Sequence, residues 1–386
     1  MRLVSCTCTA CGLCINRCPK SAIYFEKNEY HEIISVVDET KCINCGLCEK
    51  LCPEQNPVNV STPRNCFAAW TTNSYDYKTT ASGGVATVLS KWIVKNDGIV
   101  YGAEILSNGS VVHSRIDSIE GIERLKGSKY AQSDFSGVFN MLKKDIKSNK
   151  KIIVVGTPCQ IAAIKSGFNE KDLEHIFLID LVCHGCPPND YFKEYLQSLI
   201  HDNNGNYKIT FRCNDYALKV SKENHLLYYK KWQEDSYFRS FMYGLIYREN
   251  CYECRYGKRE RVADLTLCDF WGLNKESLSS QDSPQYVSCV LVNSSKGEYL
   301  INQCKENLVL EERTLKEAYD GNHNLNNPSP KHKDRDLFLQ SIKQGMNFID
   351  SVNKTSIKKE IKLFNIMEIL KIPYRLIRYG KCRIIE

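Results

Sequence analysis

A chain of 386 residues with 42% hydrophobic content can hold a sizeable core in two or three domains, and none of its apolar runs reaches the length of a membrane span. Its 20 cysteines stand without an apolar signal region ahead of them, so they are expected as reduced thiols and metal ligands in a cytoplasmic, anaerobic setting rather than as disulfides. The formal charge of +7 would suit nucleic acid, but no DNA-binding helix pair is evident, and the basic excess asks for another counter-charge.

The first elements in the chain supply one. "CTACGLCINRCP" (Cys8–Pro19) is followed by "CINCGLCEKLCP" (Cys42–Pro53), with every cysteine recurring 34 residues on. Both follow the bacterial run C-x2-C-x2-C-x3-C-P, whose fourth cysteine ligates the other cluster of a pair. Three thiolates on one tight loop cap three corners of a cubane, and the halves exchange the fourth. One [4Fe–4S] cluster is therefore expected on Cys8, Cys11, Cys14 and Cys52, and another on Cys42, Cys45, Cys48 and Cys18. A disulfide knot would require export, and zinc needs only four ligands without the trailing x3-C-P. Between the loops, "SAIYFEKNEYHEIISVVDE" alternates like two short strands, giving an α+β, ferredoxin-like two-cluster domain over residues 1–62. Cys6 lies outside the pattern. The "LVSC" before the first loop resembles a lipoprotein cleavage site, but only two residues precede Leu3, and that reading is set aside.

From residue 66 to about 330 strand-like and helix-like stretches alternate, as in a larger α/β domain. The strand candidates are "GIVYGAEI" (Gly98–Ile105), "KIIVVG" (Lys151–Gly156), "IFLIDLVC" (Ile176–Cys183), "YKITFR" (Tyr207–Arg212), "ADLTLCDF" (Ala263–Phe270) and "VSCVLVN" (Val287–Asn293). Three places carry chemistry. In "TASGGVATVLSKWIVKNDG" (Thr80–Gly98), Ser82 is expected to cap a helix, with Gly83 and Gly84 open to a ligand; a phosphate at the helix start and an ordinary capped helix are both open. "KGSKYAQSD" (Lys126–Asp134) could hold a phosphate or a flavin edge, or be a solvated loop. Cys159, Cys183 and the pair Cys251/Cys254 follow strands or form one chelating turn. Such loops gather at the carboxyl edge of an open α/β sheet, and four thiolates would serve a third cubane or a zinc, with Cys186 a rival ligand. His184 beside Cys183 could move a proton or be plain structure.

The ordered motifs "SGGVATVLSKWIVKNDGIVYGA", "GSKYAQS", "VVGTPCQIAAIK", "DLVCHGCP", "CYECRYG", "ADLTLCDFWG" and "NPSPKH" resemble the coenzyme F420 hydrogenase/dehydrogenase beta-subunit family, from about Cys66 to about Phe338. The resemblance implies an FAD-containing α/β domain with its own [4Fe–4S] cluster. By motif, Cys159, Cys183, Cys251 and Cys254 would ligate that cluster, and Ser82, Gly83, Gly84, Ser128, Lys129 and Tyr130 would line the FAD. The family often has Ser or Pro where this chain has Cys186. With about −2 per four-thiolate cluster, three clusters and a dinucleotide's phosphates would bring the net charge to roughly −1.

The implied activity is an oxidoreductase. Electrons would pass between the ferredoxin-type clusters, the inner cluster and FAD, and then to coenzyme F420 or another small acceptor; no G-x-G-x-x-G follows a strand to support nicotinamide. A carrier that hands electrons to a partner enzyme or ferredoxin is the alternative. Residues 331–386 read as a helical tail. "SIKKEIKLFNIMEILKIPYRLIRYGKCRIIE" is basic and amphipathic, bent at Pro373, and expected to pack on its own domain or on a partner protein, with membrane-surface contact as the other reading. Cys66, Cys213, Cys268, Cys289, Cys304 and Cys382 are left as buried small residues.

Overall fold

The computed structural model describes residues 2–3, 7–200, 205–212, 216–223, 225–279 and 284–370. Cys6, Cys213 and the tail from Lys371, with Pro373 and Cys382, lie outside the described residues.

Strands β1 (Arg2–Leu3), β2 (Ile23–Lys27) and β3 (Ile33–Val37) form an antiparallel sheet in the order β1-β3-β2. The two expected strands are there, and Arg2–Leu3 adds a third. The cysteine repeat is also a backbone repeat. Ala10 and Asn44 take φ of 54° and 52°, Gly12 and Gly46 take φ of 78° and 69°, and each glycine opens a short helix, Leu13–Arg17 and Leu47–Lys50. Left-handed backbone at both positions curls each loop around its thiols.

The larger body uses β4 (Asn65–Thr71), β5 (Ile99–Ile105), β6 (Val111–Ile116), β7 (Ile152–Gly156), β8 (Ile176–Leu181), β9 (Tyr207–Thr210), β10 (Ala217–Lys222), β11 (His225–Lys231), β12 (Leu265–Asp269), β13 (Ser288–Val292) and β14 (Leu308–Arg313). Eight of these form a mixed sheet in the order β14-β4-β13-β12-β8-β7-β5-β6, whose central strands β12, β8, β7 and β5 run parallel. The "YKITFR" run does not join it; β9 lies in a separate antiparallel sheet of order β11-β10-β9.

Parallel strands are buried on both faces and so read as continuous apolar runs. Ile99, Tyr101, Ile152, Val154, Ile176 and Leu178 pack on one side with the helices Val138–Ile146 and Pro158–Gly167. Val100, Ile153, Phe177 and Ile179 pack on the other with Val85–Lys95 and Ser295–Gln303. The C-terminal helices Arg335–Lys343, Phe348–Asn353 and Ser356–Leu370 join an aromatic core through Phe338, Phe348 and Ile357, so the described part of the tail packs on its own chain. No helix among the described residues is long and apolar enough to cross a membrane.

One polar pair lies wholly inside. Arg261 and Asp180 are 1% and 0% exposed and meet at 3.0 Å, while Arg261 also donates to the carbonyls of Tyr256 and Lys258. Arg261 also pairs by backbone with Ser61, tying the chain that leaves the second cysteine loop to the large sheet. Removing one partner of a buried pair leaves an uncompensated charge, at a cost of about 3–5 kcal/mol. Arg261→Leu should therefore lower the melting temperature by about 5 °C, measured anaerobically by circular dichroism.

Candidate cofactor sites

The structure brings a cysteine of each loop beside the thiols of the other, Cys52 by the first loop and Cys18 by the second. Cys8, Cys11, Cys14 and Cys52 stand within electrostatic reach of one another, and burial pushes Cys11 and Cys14 up to about 12. Ala10 N–H donates to Cys8 Sγ at 3.3 Å, and both Cys14 and Cys8 contact Ser35 Oγ, at 3.4 and 3.7 Å. The other loop repeats the device: Asn44 N–H donates to Cys42 Sγ at 3.4 Å. Cys18, Cys42, Cys45 and Cys48 line one pocket, and Cys45 is exposed. In the first group, buried thiols crowded by like neighbours resist ionisation, which a cationic iron core would relieve. With four thiols gathered at each of the two places, the donor set fits two cubanes.

The third ring forms where three segments of the large domain converge. Cys159 sits in the first turn of Pro158–Gly167, a helix opened by a capping box of Thr157 and Gln160. Cys183 and Cys186 lie on the loop after β8, and Cys251 and Cys254 bracket the turn after Glu249–Cys251. Cys159, Cys183, Cys251 and Cys254 are all electrostatic neighbours. Cys186 is the fifth thiol: its side chain meets Cys183 and its N–H donates to Cys251 Sγ at 3.4 Å. The geometry brings all five together and leaves Cys186 beside the other four. Among the described residues no group of His, Cys, Asp or Glu is drawn up as a ready single-ion site.

This ring adjoins the first. Cys11, Leu13 and Leu51 pack into the same apolar cluster as Cys159 and Cys254. Arg255 reaches across to the Glu54 carbonyl at 2.7 Å and its carboxylate at 3.2 Å. Arg248, 2% exposed, donates to the carbonyls of Cys8 and Ile33 and to Gln132. The ferredoxin-like module is therefore docked by buried polar contacts.

On the other side of the third ring lies a cleft of about 340 Å³, lined by Cys183, Cys186 and the carboxyl ends of β7, β8 and β12. That is the size and location expected of a small-molecule site in an open α/β sheet. Ser82, Gly84, Ser128, Lys129 and Tyr130 line it. Gly83 does not. It packs behind the wall, where a Cβ would stand 2.2 Å from the Ala69 carbonyl, and its N–H donates to Ser288 Oγ at 3.0 Å. Nor does Ser82 cap the helix. Val85–Lys95 starts from Gly84 in left-handed conformation with no side-chain cap, because the glycine at φ 82° makes the turn that a serine cap would have made. The Ser82 hydroxyl is instead buried at the cleft wall, without a partner among the described residues.

Burial pushes Lys129 down to about 7, but its Nζ donates to the carbonyls of Leu125, Lys126 and Gly127 at 2.6, 2.9 and 3.1 Å. Those acceptors favour the ammonium form, and we read it as a buried cation. Sequence reasoning missed His113, Arg212, Asp269 and Trp271, which also line the cleft. His113 was findable, as a polar residue on the buried side of the alternating "VVHSRI". Its Nε2 donates to the Val155 carbonyl at 3.0 Å, so Nδ1 is a bare acceptor, buried and unpartnered among the described residues. Burial pulls the ring down to about 4, and it should stay neutral through pH 5. Below pH 6.5 the unfolded chain takes up a proton that the folded one refuses, so stability falls between about pH 6.5 and 4. Nitrogen-15 spectra of histidine-labelled protein should show this ring with Nε2–H only from pH 8 to 5; a midpoint near 6.5 would contradict the placement.

Residues 149–318 match the family model for the C terminus of the coenzyme F420 hydrogenase/dehydrogenase beta subunit, and residues 7–56 match the model described as "4Fe-4S dicluster domain". The chain is also similar to a chain of the F420-reducing [NiFe] hydrogenase complex from Methanosarcina barkeri, solved in a xenon-derivatised form. Identity is 17% and the TM-score 0.45, covering 78% of this chain and 93% of that one. No curated protein matches.

Proposed function

We propose that this chain, whose residues 149–318 match the model for the C terminus of the coenzyme F420 hydrogenase/dehydrogenase beta subunit and whose residues 7–56 match a 4Fe–4S dicluster domain, is an iron–sulfur flavoprotein oxidoreductase. In this reading Cys8, Cys11, Cys14 and Cys52 hold one [4Fe–4S] cluster, Cys18, Cys42, Cys45 and Cys48 a second, and Cys159, Cys183, Cys251 and Cys254 a third. FAD occupies the cleft. The observation that carries the reading is the shared wall: Cys183 belongs both to the third ring and to the cleft.

A flavin accepts electrons singly from clusters and exchanges them in pairs with a small molecule. The chain's own residues supply the rest. The uncapped start of Val85–Lys95 offers N–H groups and the positive end of its dipole to a phosphate. Ser82 Oγ and His113 Nδ1 await hydrogen-bonding partners, and the Lys129 ammonium favours added negative charge in the cleft. N–H···S bonds at Cys8 and Cys42 stabilise electron-rich sulfur and so raise cluster potentials.

A second reading, delivery of electrons to a partner protein, is favoured by the second cysteine loop, where Cys45 is exposed and Ile43 is 56% exposed. Anaerobic assay separates the two. Reduced coenzyme F420, or another soluble hydride donor, should reduce the clusters of the isolated protein. Exchange of electrons with ferredoxin alone, and with none of the small donors, would favour the carrier.

A further inference from the structure

Three thiols outside the cysteine rings form a row across the large sheet. Cys268 on β12 and Cys289 on β13 are direct cross-strand partners, and Cys66 on β4 lies diagonal to Cys289, with their sulfurs 3.7 Å apart. The Cys289 thiol touches both neighbours, and these contacts with its burial hold it protonated. Cys66 and Cys289 are each 1% exposed, whereas Cys268 is half-buried and lines the cleft.

The pair has the geometry of a cross-link. Asn293 N–H donates to the Asp264 carbonyl and Phe270 N–H to the Val287 carbonyl, so Cys268 and Cys289, in phase with both, form a hydrogen-bonded pair. Such pairs have Cα atoms about 5.5 Å apart, inside the range a disulfide spans. Opposite side chains share one face, and these two already touch.

We propose that Cys268 and Cys289 are a redox-active dithiol that exchanges an electron pair with the flavin in the cleft; this rests on the flavin reading above. In the oxidising direction two S–H bonds break and one S–S bond forms. The flavin takes the electron pair and one proton, and the second proton leaves to solvent. The reverse step consumes reduced flavin and restores both thiols. The couple stores two electrons at the end of a path that clusters feed one at a time. A bond across a hydrogen-bonded pair is also more strained than most, which makes it easier to reduce.

The test uses the full-length, cluster-loaded protein, whose flavin content is measured first. After treatment with diamide, free thiols are alkylated and the peptides mapped by mass spectrometry. A Cys268–Cys289 link is expected, with Cys66 and Cys304 alkylated after denaturation. A Cys66–Cys289 link, or none, would overturn the pair. Anaerobic reductive titration of the diamide-treated protein should then take up two more electrons per chain than Cys268→Ser treated alike; equal uptake would overturn the exchange. Cys268→Ala, with the same flavin and iron as wild type, guards against a folding defect. Protein that forms the link but holds no flavin would refute the flavin reading and the exchange while leaving the cross-link standing.

Discussion

Cys254→Ser should lower iron from about twelve to about eight per chain, the loss of one cubane of three. Serine offers a hard oxygen in place of the soft thiolate that iron–sulfur clusters select. The defect should stay local, because Cys254 meets Cys159, Cys183 and Cys251 and belongs to neither ferredoxin-type ring. The eight remaining irons should keep the spectrum of a two-cluster ferredoxin, and the flavin should remain bound, since Cys254 does not line the cleft. What should disappear is communication: electrons entering at the ferredoxin-like module would no longer reach the flavin on the assay time scale. Iron analysis, low-temperature electron paramagnetic resonance and stopped-flow absorbance check the three points. Unchanged iron would remove Cys254 from the ligand set, and Cys254→Ser/Cys186→Ser together would then reveal whether Cys186 stands in for it.

Gly84→Val should do the opposite, emptying the cleft of flavin and leaving about twelve irons in place. Gly84 has φ of 82°, and a Cβ there would stand 2.9 Å from Thr71 Cγ2 and 3.3 Å from Thr80 Oγ1. A β-branched residue in left-handed conformation costs roughly 1–2 kcal/mol before any clash. The cheapest escape is to unwind the first turn of Val85–Lys95, the segment that presents N–H groups to the cleft. Strain and lost contacts together should weaken flavin binding about tenfold or more, since each 1.4 kcal/mol is a factor of ten. Flavin fluorescence titration measures it. Flavin retained at wild-type affinity would move the phosphate site away from this helix. The two substitutions give orthogonal losses, and a general folding defect cannot mimic both.

The cysteine rings were legible because cubane ligation is a short-range constraint. For the two N-terminal groups three of the four thiols lie on one loop, so the spacing of Cys8, Cys11 and Cys14 carries their closeness and the repeat pointed to Cys52 beside them, whereas the third group draws on three segments and was legible as a cluster site only by motif resemblance. Strands β5, β7, β8, β12 and β13 were legible because burial on both faces writes an apolar run. The antiparallel flank was not. β4 (NCFAAWT) and β14 (LVLEER) mix polar and apolar residues, and their membership in the sheet depends on partners far along the chain, whereas β6 (VVHSRI) follows the Asn108-Gly109 turn and pairs with its neighbour β5, a hairpin signal that was overlooked. The same distance hid part of the cleft. Arg212 and Trp271 line it only because the segment after β9 and the loop after β12 converge there. Arg212 pairs with Asp269 at 2.8 Å and lies over the Tyr216 ring at 4.2 Å, a long-range arrangement that leaves no local pattern. The error at Ser82 has a simple cause: Ser-Gly-Gly offers two ways to begin a helix, and the left-handed glycine takes precedence when the serine hydroxyl faces a cleft. Cys268 and Cys289 were left as incidental thiols because only strand register makes them neighbours.

Iron, acid-labile sulfide and flavin should be counted on one anaerobic preparation of the whole chain. About twelve irons, as many sulfides and one FAD per chain are expected from three thiol rings set against one cleft. About eight irons and no flavin would contradict it, limiting redox chemistry to the ferredoxin-like module and leaving the large domain without a cofactor.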